Sequence, residues 1–186
     1  MEPKRLAGSP GKPLCITPIL KLEPNMEINT LPQIRIQTRV KKYLADLITP
    51  VSLFLRVRDQ YTNPVLLESN DFSSAEDCFS FIGLQGIAHF EVNGGKIVIS
   101  HPDGSRTEQQ VSDGHSVPVA LKAFADSFSV QQDTPFPVFN GFFGHVGFDG
   151  VQYFDSLSFD PEKRKMDIPD IRFTLHRFII AINHFK

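Results

Sequence analysis

The chain has 186 residues, 41% hydrophobic and 22% charged, with 19 Lys+Arg against 21 Asp+Glu for a formal net charge of -2. That length fits one domain with a sizeable core and excludes a disordered polymer. The slight acidity excludes a basic nucleic-acid platform, and no apolar run approaches the ~18 residues that span a membrane.

Residues 1–25 contain five of the 14 prolines (Pro3, Pro10, Pro13, Pro18 and Pro24) and little periodicity, so they read as a flexible leader, with Met26 a candidate natural start of a domain over 26–186. Gly8, Pro10, Gly11 and Pro13 break any apolar run of a secretory signal. Cys15 and Cys78 form neither a metal-site spacing nor a disulfide framework, which points to a reducing compartment and a cytoplasmic protein.

Val40, Tyr43, Leu44, Leu47 and Ile48 recur at three and four and predict one helical face. Thr49 suits an N-cap and Pro50 a first helical position, so a second helix is predicted from Pro50 to Arg58, with Val51, Phe54 and Leu55 inward and Arg56 and Arg58 outward. Val65-Leu66-Leu67 is a short run of buried-strand type ending at Glu68-Ser69. Ser73 or Ser74 can cap a turn of helix through Cys78. Phe79–Gly83 and Ala88–Val92 read as strands, and Asn93-Gly94-Gly95 is a hairpin turn leading to Lys96–Ser100. A turn at 102–105 extends this antiparallel meander to about residue 112. Ser116 to Phe128 is predicted helical, with Val117, Leu121, Phe124, Ala125 and Phe128 on one face. The Gly- and Phe-rich stretch from Phe139 to Phe148 precedes a short amphipathic helix over 149–157. Two strand-like runs, Ile171–Leu175 and Phe178–Asn183, follow a charged connector over 160–167.

No Ser-His-Asp order, Cys-His pair or phosphate loop is present, and Asn93-Gly94-Gly95-Lys96 is better read as a turn than as a phosphate site. His145 and Asp149 are spaced as two ligands on a helical face, but Gly144 and Gly147 disfavour a helix there, and no third ligand is evident. His176 and His184 fall on strands with no assigned role, and Tyr153 and Asp155 read as surface or interface residues. Glu68 and Ser69 are more informative. A carboxylate and a hydroxyl at the mouth of a buried strand can hold an α-amino acid, Glu68 accepting from its ammonium group.

Leu66-Leu67-Glu68-Ser69 followed by Ser80-Phe81-Ile82-Gly83 resembles the N-terminal domain of anthranilate synthase component I, a chorismate-utilising family. Thr49-Pro50-Val51-Ser52 is similar to the family's opening helix. Phe139–Asp149, continued by Val151-Gln152-Tyr153-Phe154-Asp155, is similar to its glycine-rich motif. Pro169–Phe173 with Asn183-His184 resembles its strand pair, which usually ends Asp-His. The landmarks cover about residues 38–186 in the family's order.

The resemblance implies an α+β fold of antiparallel β-sheets packed face to face with flanking helices, half of a layered αββα architecture. It also implies a full-length lyase that converts chorismate and ammonia, delivered from glutamine by an amidotransferase partner (component II), to anthranilate in tryptophan biosynthesis. Leu67, Glu68 and Ser69 then correspond to contacts with inhibitory tryptophan. No catalytic or metal residue is expected in this stretch. Chorismate and Mg²⁺ belong to a C-terminal domain absent from it, so this stretch alone is expected to be inactive. Aminodeoxychorismate synthase component I, serving folate synthesis, and a stand-alone amino-acid-binding module are the alternatives. Apolar surface around Phe142, Phe143 and Phe148 would favour a homodimer; neither nucleic acid nor membrane is an expected partner.

Overall fold

The computed structural model describes residues 13–18 (backbone course only), 34–69, 78–112, 116–131, 139–160, 164 and 167–184. In chain order these hold β1 (Pro13–Pro18), β2 (Ile34–Gln37), β3 (Lys41–Leu44), α1 (Pro50–Val57), β4 (Val65–Leu67), β5 (Phe79–Asn93), β6 (Lys96–Ser100), β7 (Arg106–Gln110), α2 (Ser116–Asp126), β8 (Phe128–Gln131), β9 (Phe142–Val146) and β10 (Ile171–Asn183). Short 3₁₀ segments lie at Arg58–Gln60 and Phe148–Tyr153. The class is α+β with predominantly antiparallel pairing, as expected. Eight strands join one sheet in which β3, β1, β10, β5, β6 and β7 run side by side, β4 adding to β5 and β9 to β10. The exception is β2 with β8, a separate parallel pair.

The organising elements are β5, of 15 residues, and β10, of 13, paired antiparallel along their length. Each was expected as two short strands. The glycines and non-periodic residues between Gly83 and Ile87 do interrupt the alternation. They do so through an irregularity: Gln85 takes φ +57 and the register shifts between Leu175 and His176, so the pairing bends and continues. Each end of this ribbon has its own neighbours. At one end β4 lies against Gly83, Ile82 and Phe81 of β5, and β1 against 178–182 of β10. At the other, β6 pairs with 89–93 and β9 with 171–175.

Each half also has its own core and helix. Ile82, Leu84, Ile180, Ile182 and Ala45 pack with Leu53, Phe54 and Val57 of α1. Phe90, Val92, Ile97, Ile171 and Leu175 pack with Val117, Ala120 and Phe124 of α2. The α1 start follows the sequence reading: Ser52 N–H donates to Thr49 Oγ1 at 3.1 Å, Thr49 N–H donates to Ser52 Oγ at 3.2 Å, and Pro50 needs no partner for a missing N–H. Its inward face differs from the expected one. Phe54 points in, whereas Val51 and Leu55 are exposed, and Leu53 and Val57 take their places. The expected helix over 40–48 is instead strand β3 and a turn. Backbone pairing with β1, Pro13 opposite Leu44 through Ile16 opposite Lys41, overrides the apolar spacing and leaves Tyr43, Leu44 and Leu47 exposed. Residues 13–18 lie inside the stretch read as a leader and run between β3 and β10; the remainder of residues 1–25 is outside the described residues.

The β5–β6 hairpin closes as expected. Asn93 pairs with Lys96, and Gly94 and Gly95 take φ +56 and +76, the left-handed values a two-residue turn of this hand requires. Helix α2 ends at Asp126, two residues short of the expected end, and Phe128 opens β8. The expected amphipathic helix over 149–157 is the 3₁₀ segment Phe148–Tyr153, and the expected turn of helix before Cys78 lies outside the described residues. Of the three phenylalanines expected to expose apolar surface, Phe148 does so, Phe142 packs on the α2 core and Phe143 is half-buried.

Candidate functional site

Strand β4 is an edge strand of three residues, and its register sets what the site contains: Val65 lies opposite Gly83, Leu66 opposite Ile82 and Leu67 opposite Phe81. Side chains alternate across a strand, so Leu66 enters the α1 core while Val65 and Leu67 share the opposite face with Gly83 and Phe81. That face is aromatic. Phe81 meets Phe79, Phe139 and Phe143 at centroid distances of 6.0, 5.2 and 5.9 Å, and Phe143 meets the His176 ring at 5.9 Å. All four phenylalanines are half-buried, so they form an aromatic floor that keeps part of its area exposed. Leu67, 37% exposed, stands at its margin. Glu68 and Ser69 leave the strand end there; Glu68 is exposed, not buried as expected, and Ser69 is half-buried and already partnered within the chain. The carboxylate therefore reaches water readily and could meet an ammonium group without prior burial. The three candidate residues are adjacent at the rim of an apolar aromatic surface, an arrangement suited to an amino acid with a large side chain.

The sequence reading missed the floor, although Phe79 and Phe81 alternating with Ser80 and Ile82 carry a period of two that puts both rings on one face. It also left the histidines unassigned. His176 is 5% exposed, its Nε2 lies 2.9 Å from the Asn63 carbonyl, and its ring occupies the space above Gly83. Burial holds its pKa below the usual value, against the Asn63 and Thr174 backbone groups that favour the charged ring. His89 is held low by burial, then by the positive charge of Arg172 and by His176, and its Nδ1 pairs with Thr174 Oγ1 at 3.1 Å. His184 Nε2 meets the fully buried Ser80 Oγ at 2.8 Å.

One expectation is corrected at the other end of the sheet. Tyr153 is buried rather than a surface residue: its Oη donates to Asp170 Oδ2 at 2.8 Å and accepts from Gly95 N–H at 3.2 Å, while Gly94 N–H donates to the same carboxylate oxygen at 3.2 Å and Arg164 pairs with the other at 3.3 Å. Burial, with the Asp170 hydrogen bond, pushes the Tyr153 phenol up to about 12. This is a clamp that ties the hairpin turn to the start of β10. Asp155, by contrast, is exposed, as the sequence suggested. His145 lies on strand β9, its Nε2 3.2 Å from the Pro169 carbonyl, and among the described residues no three His, Cys, Asp or Glu side chains gather as a metal site. No described helix is long and apolar enough to cross a membrane.

No family model matches the chain. Over 163 residues it is 30% identical to a protein of Acinetobacter calcoaceticus named anthranilate synthase component 1, an alignment covering 85% of this chain and 31% of that protein. The chain is a relative of anthranilate synthase component 1. It is 32% identical to the protein of that name from Pseudomonas putida over 76% of this chain and 28% of the relative, and 26% identical to that from Lactococcus lactis over 78% and 30%. The chain thus spans under a third of the length of these curated relatives, a share consistent with an N-terminal domain of anthranilate synthase component 1.

Proposed function

We propose that the chain is the N-terminal regulatory and scaffolding domain of an anthranilate synthase component 1, with Leu67, Glu68 and Ser69 as contacts for the feedback inhibitor tryptophan. The observation that carries this reading is the relationship over some four-fifths of the chain, against under a third of each relative. Chorismate and Mg²⁺ then engage the portion of such proteins outside the aligned span, as does a glutamine amidotransferase subunit supplying ammonia, and the chain alone makes no anthranilate. The working compartment on this reading is the cytoplasm. The aromatic floor beside Leu67 supports a ligand with an indole side chain: Glu68 accepts from its ammonium group, Ser69 contacts a polar group, and the ring lies toward Phe81.

The chain contains no tryptophan residue, so the fluorescence of added tryptophan reports on the ligand alone. Its anisotropy should rise on titration with the protein and should not for Glu68→Gln at the same concentrations. Loss of a charge-assisted hydrogen bond is worth roughly 1.5–3 kcal/mol, about ten- to hundredfold in affinity. Equal binding by both proteins would remove Glu68 from the site. Anthranilate formed by the chain from chorismate, Mg²⁺ and ammonia would overturn the assignment of a non-catalytic domain.

A further inference from the structure

The motif residues at the end of β4 are held in place from a distance. Strand β4 has three paired residues and lies at an edge, so its own ladder holds it weakly. What precedes it is a strained turn in which Asn63 takes φ +49. Three groups from the central ribbon grip that turn. Gly86 N–H donates to the Thr62 carbonyl at 3.2 Å, Arg172 reaches Asn63 Oδ1 at 3.3 Å, and the buried His176 contacts the Asn63 carbonyl through Nε2. A carbonyl can only accept, so Nε2 carries the proton, and Nδ1 of the neutral ring is the bare nitrogen; it is buried with no hydrogen-bond partner. The ring fits only because position 83 is glycine: a Cβ there would stand 2.8 Å from His176 Cγ and Nδ1 and 2.9 Å from Val65 Cγ1. Imidazole, glycine and Val65 thus interlock across three strands.

We propose that His176 is a positioning residue for the Leu67–Ser69 segment, acting through the Asn63 turn, so that ligand affinity at the strand end depends on a ring that touches no ligand. The inference rests on the reading of Leu67–Ser69 as a tryptophan site and adds to it a means of regulation. Protonating Nδ1 puts a charge into a buried pocket beside Gly83 and Phe143. The titratable and charged groups on this face are His89 and Glu91 from β5, Arg172 from β10 and His145 from β9, with Glu68 beyond the end of β4. Glu91 is paired to Arg172 at 3.8 Å, and no acid contacts the His176 ring among the described residues. Because burial holds the folded-state pKa below the ordinary 6.5, the arrangement is intact above that value and is lost as the pH falls through and below it.

The test compares the wild-type chain with His176→Gln, whose amide keeps a donor toward Asn63, and His176→Leu, which removes it. Tryptophan affinity is read by anisotropy from pH 8 down to pH 5, and amide hydrogen exchange is followed at Val65, Leu66 and Leu67. The expected result is wild-type affinity that weakens about three- to tenfold on acidification, because the charged ring, although it still donates from Nε2, is disfavoured in its buried site. His176→Gln should bind like wild type at pH 8 and vary less with pH. His176→Leu should bind weakly throughout and exchange its β4 amides faster. If wild type binds no tryptophan, the reading of the ligand fails, and the exchange data alone judge the positioning role. Unchanged β4 exchange in His176→Leu overturns the positioning role whatever the ligand result, and so does a His176→Gln titration as steep as that of wild type. Should His176→Leu fail to fold, the last comparison still decides.

Discussion

The two halves of the central ribbon use phenylalanine in opposite ways. In the α2 half the rings converge on a buried pair: Phe124, 2% exposed, meets the fully buried Phe90 at 5.8 Å and the half-buried Phe142 and Phe128 at 5.0 and 5.2 Å. In the α1 half Phe79, Phe81, Phe139 and Phe143 line up along one face and remain half-buried, beside an edge strand of three residues. Area removed from water stabilises the fold, and area left in water is available for binding. The first half reads as scaffold and the second as the face where recognition can be placed.

The sharpest way to break this contrast is truncation of one ring on each side. Phe124→Ala should cost about 3–5 kcal/mol, the usual penalty for a cavity at a closed aromatic site, and a 186-residue chain should show it as a clear fall in denaturant midpoint. Phe81→Ala, on the open face, should cost distinctly less in stability while abolishing any rise in tryptophan anisotropy. Equal losses of stability would mean that both clusters are core and that the open face is an illusion.

The second effect in size concerns the clamp at the α2 end. Asp170 is 4% exposed and accepts from Tyr153 and Gly94 while pairing with Arg164, so Asp170→Asn removes the charge from a buried hub and puts an amide donor among groups that themselves donate. A loss of about 2–3 kcal/mol is expected, seen in urea unfolding, with faster exchange at the Gly94 and Gly95 amides. Tryptophan affinity should be unaffected, because the clamp lies in the half that carries no candidate contact. A parallel loss of affinity would show that the halves are coupled.

Local signals were legible where neighbours in sequence are also partners in space. Thr49, Pro50 and Ser52 describe their own helix start, and Gly94-Gly95 its own turn. Strand β3 was not legible, because its partner β1 sits in a proline-bearing stretch with no periodicity, and pairing along a backbone leaves no trace in side-chain spacing. The long strands β5 and β10 were cut in two for a related reason: an irregular step looks like a loop until the partner strand shows the pairing resuming. Asp170 and Tyr153 are 17 residues apart, and Gly94 is 76 from Asp170, so the clamp has no local signature. At the candidate site, the position of Leu67–Ser69 at a strand end was readable from the apolar run and its polar stop. The exposure of Glu68 and the floor beneath Leu67 depend on which strand lies alongside, which the run does not encode.

The smallest expected effect tests the outer surface of the α1 half. Leu47 is 98% exposed in the turn that replaced the expected helix, and Leu55, 52% exposed, lies on α1. A side chain already in water loses no transfer free energy on replacement, so Leu47→Ser should change stability by no more than about 0.5 kcal/mol. Its value lies in what a larger change would mean. Leu47 is covered by none of the described residues, so a loss near 2 kcal/mol that grows with protein concentration would place it in a contact between copies. Sedimentation of wild type and Phe148→Ser alongside would then locate that contact, because Phe148, 82% exposed, belongs to the α2 half. Self-association abolished by Leu47→Ser and retained by Phe148→Ser would put the sticky surface in the same half as the candidate ligand site; the reverse result would put it on the scaffold and leave the ligand face free.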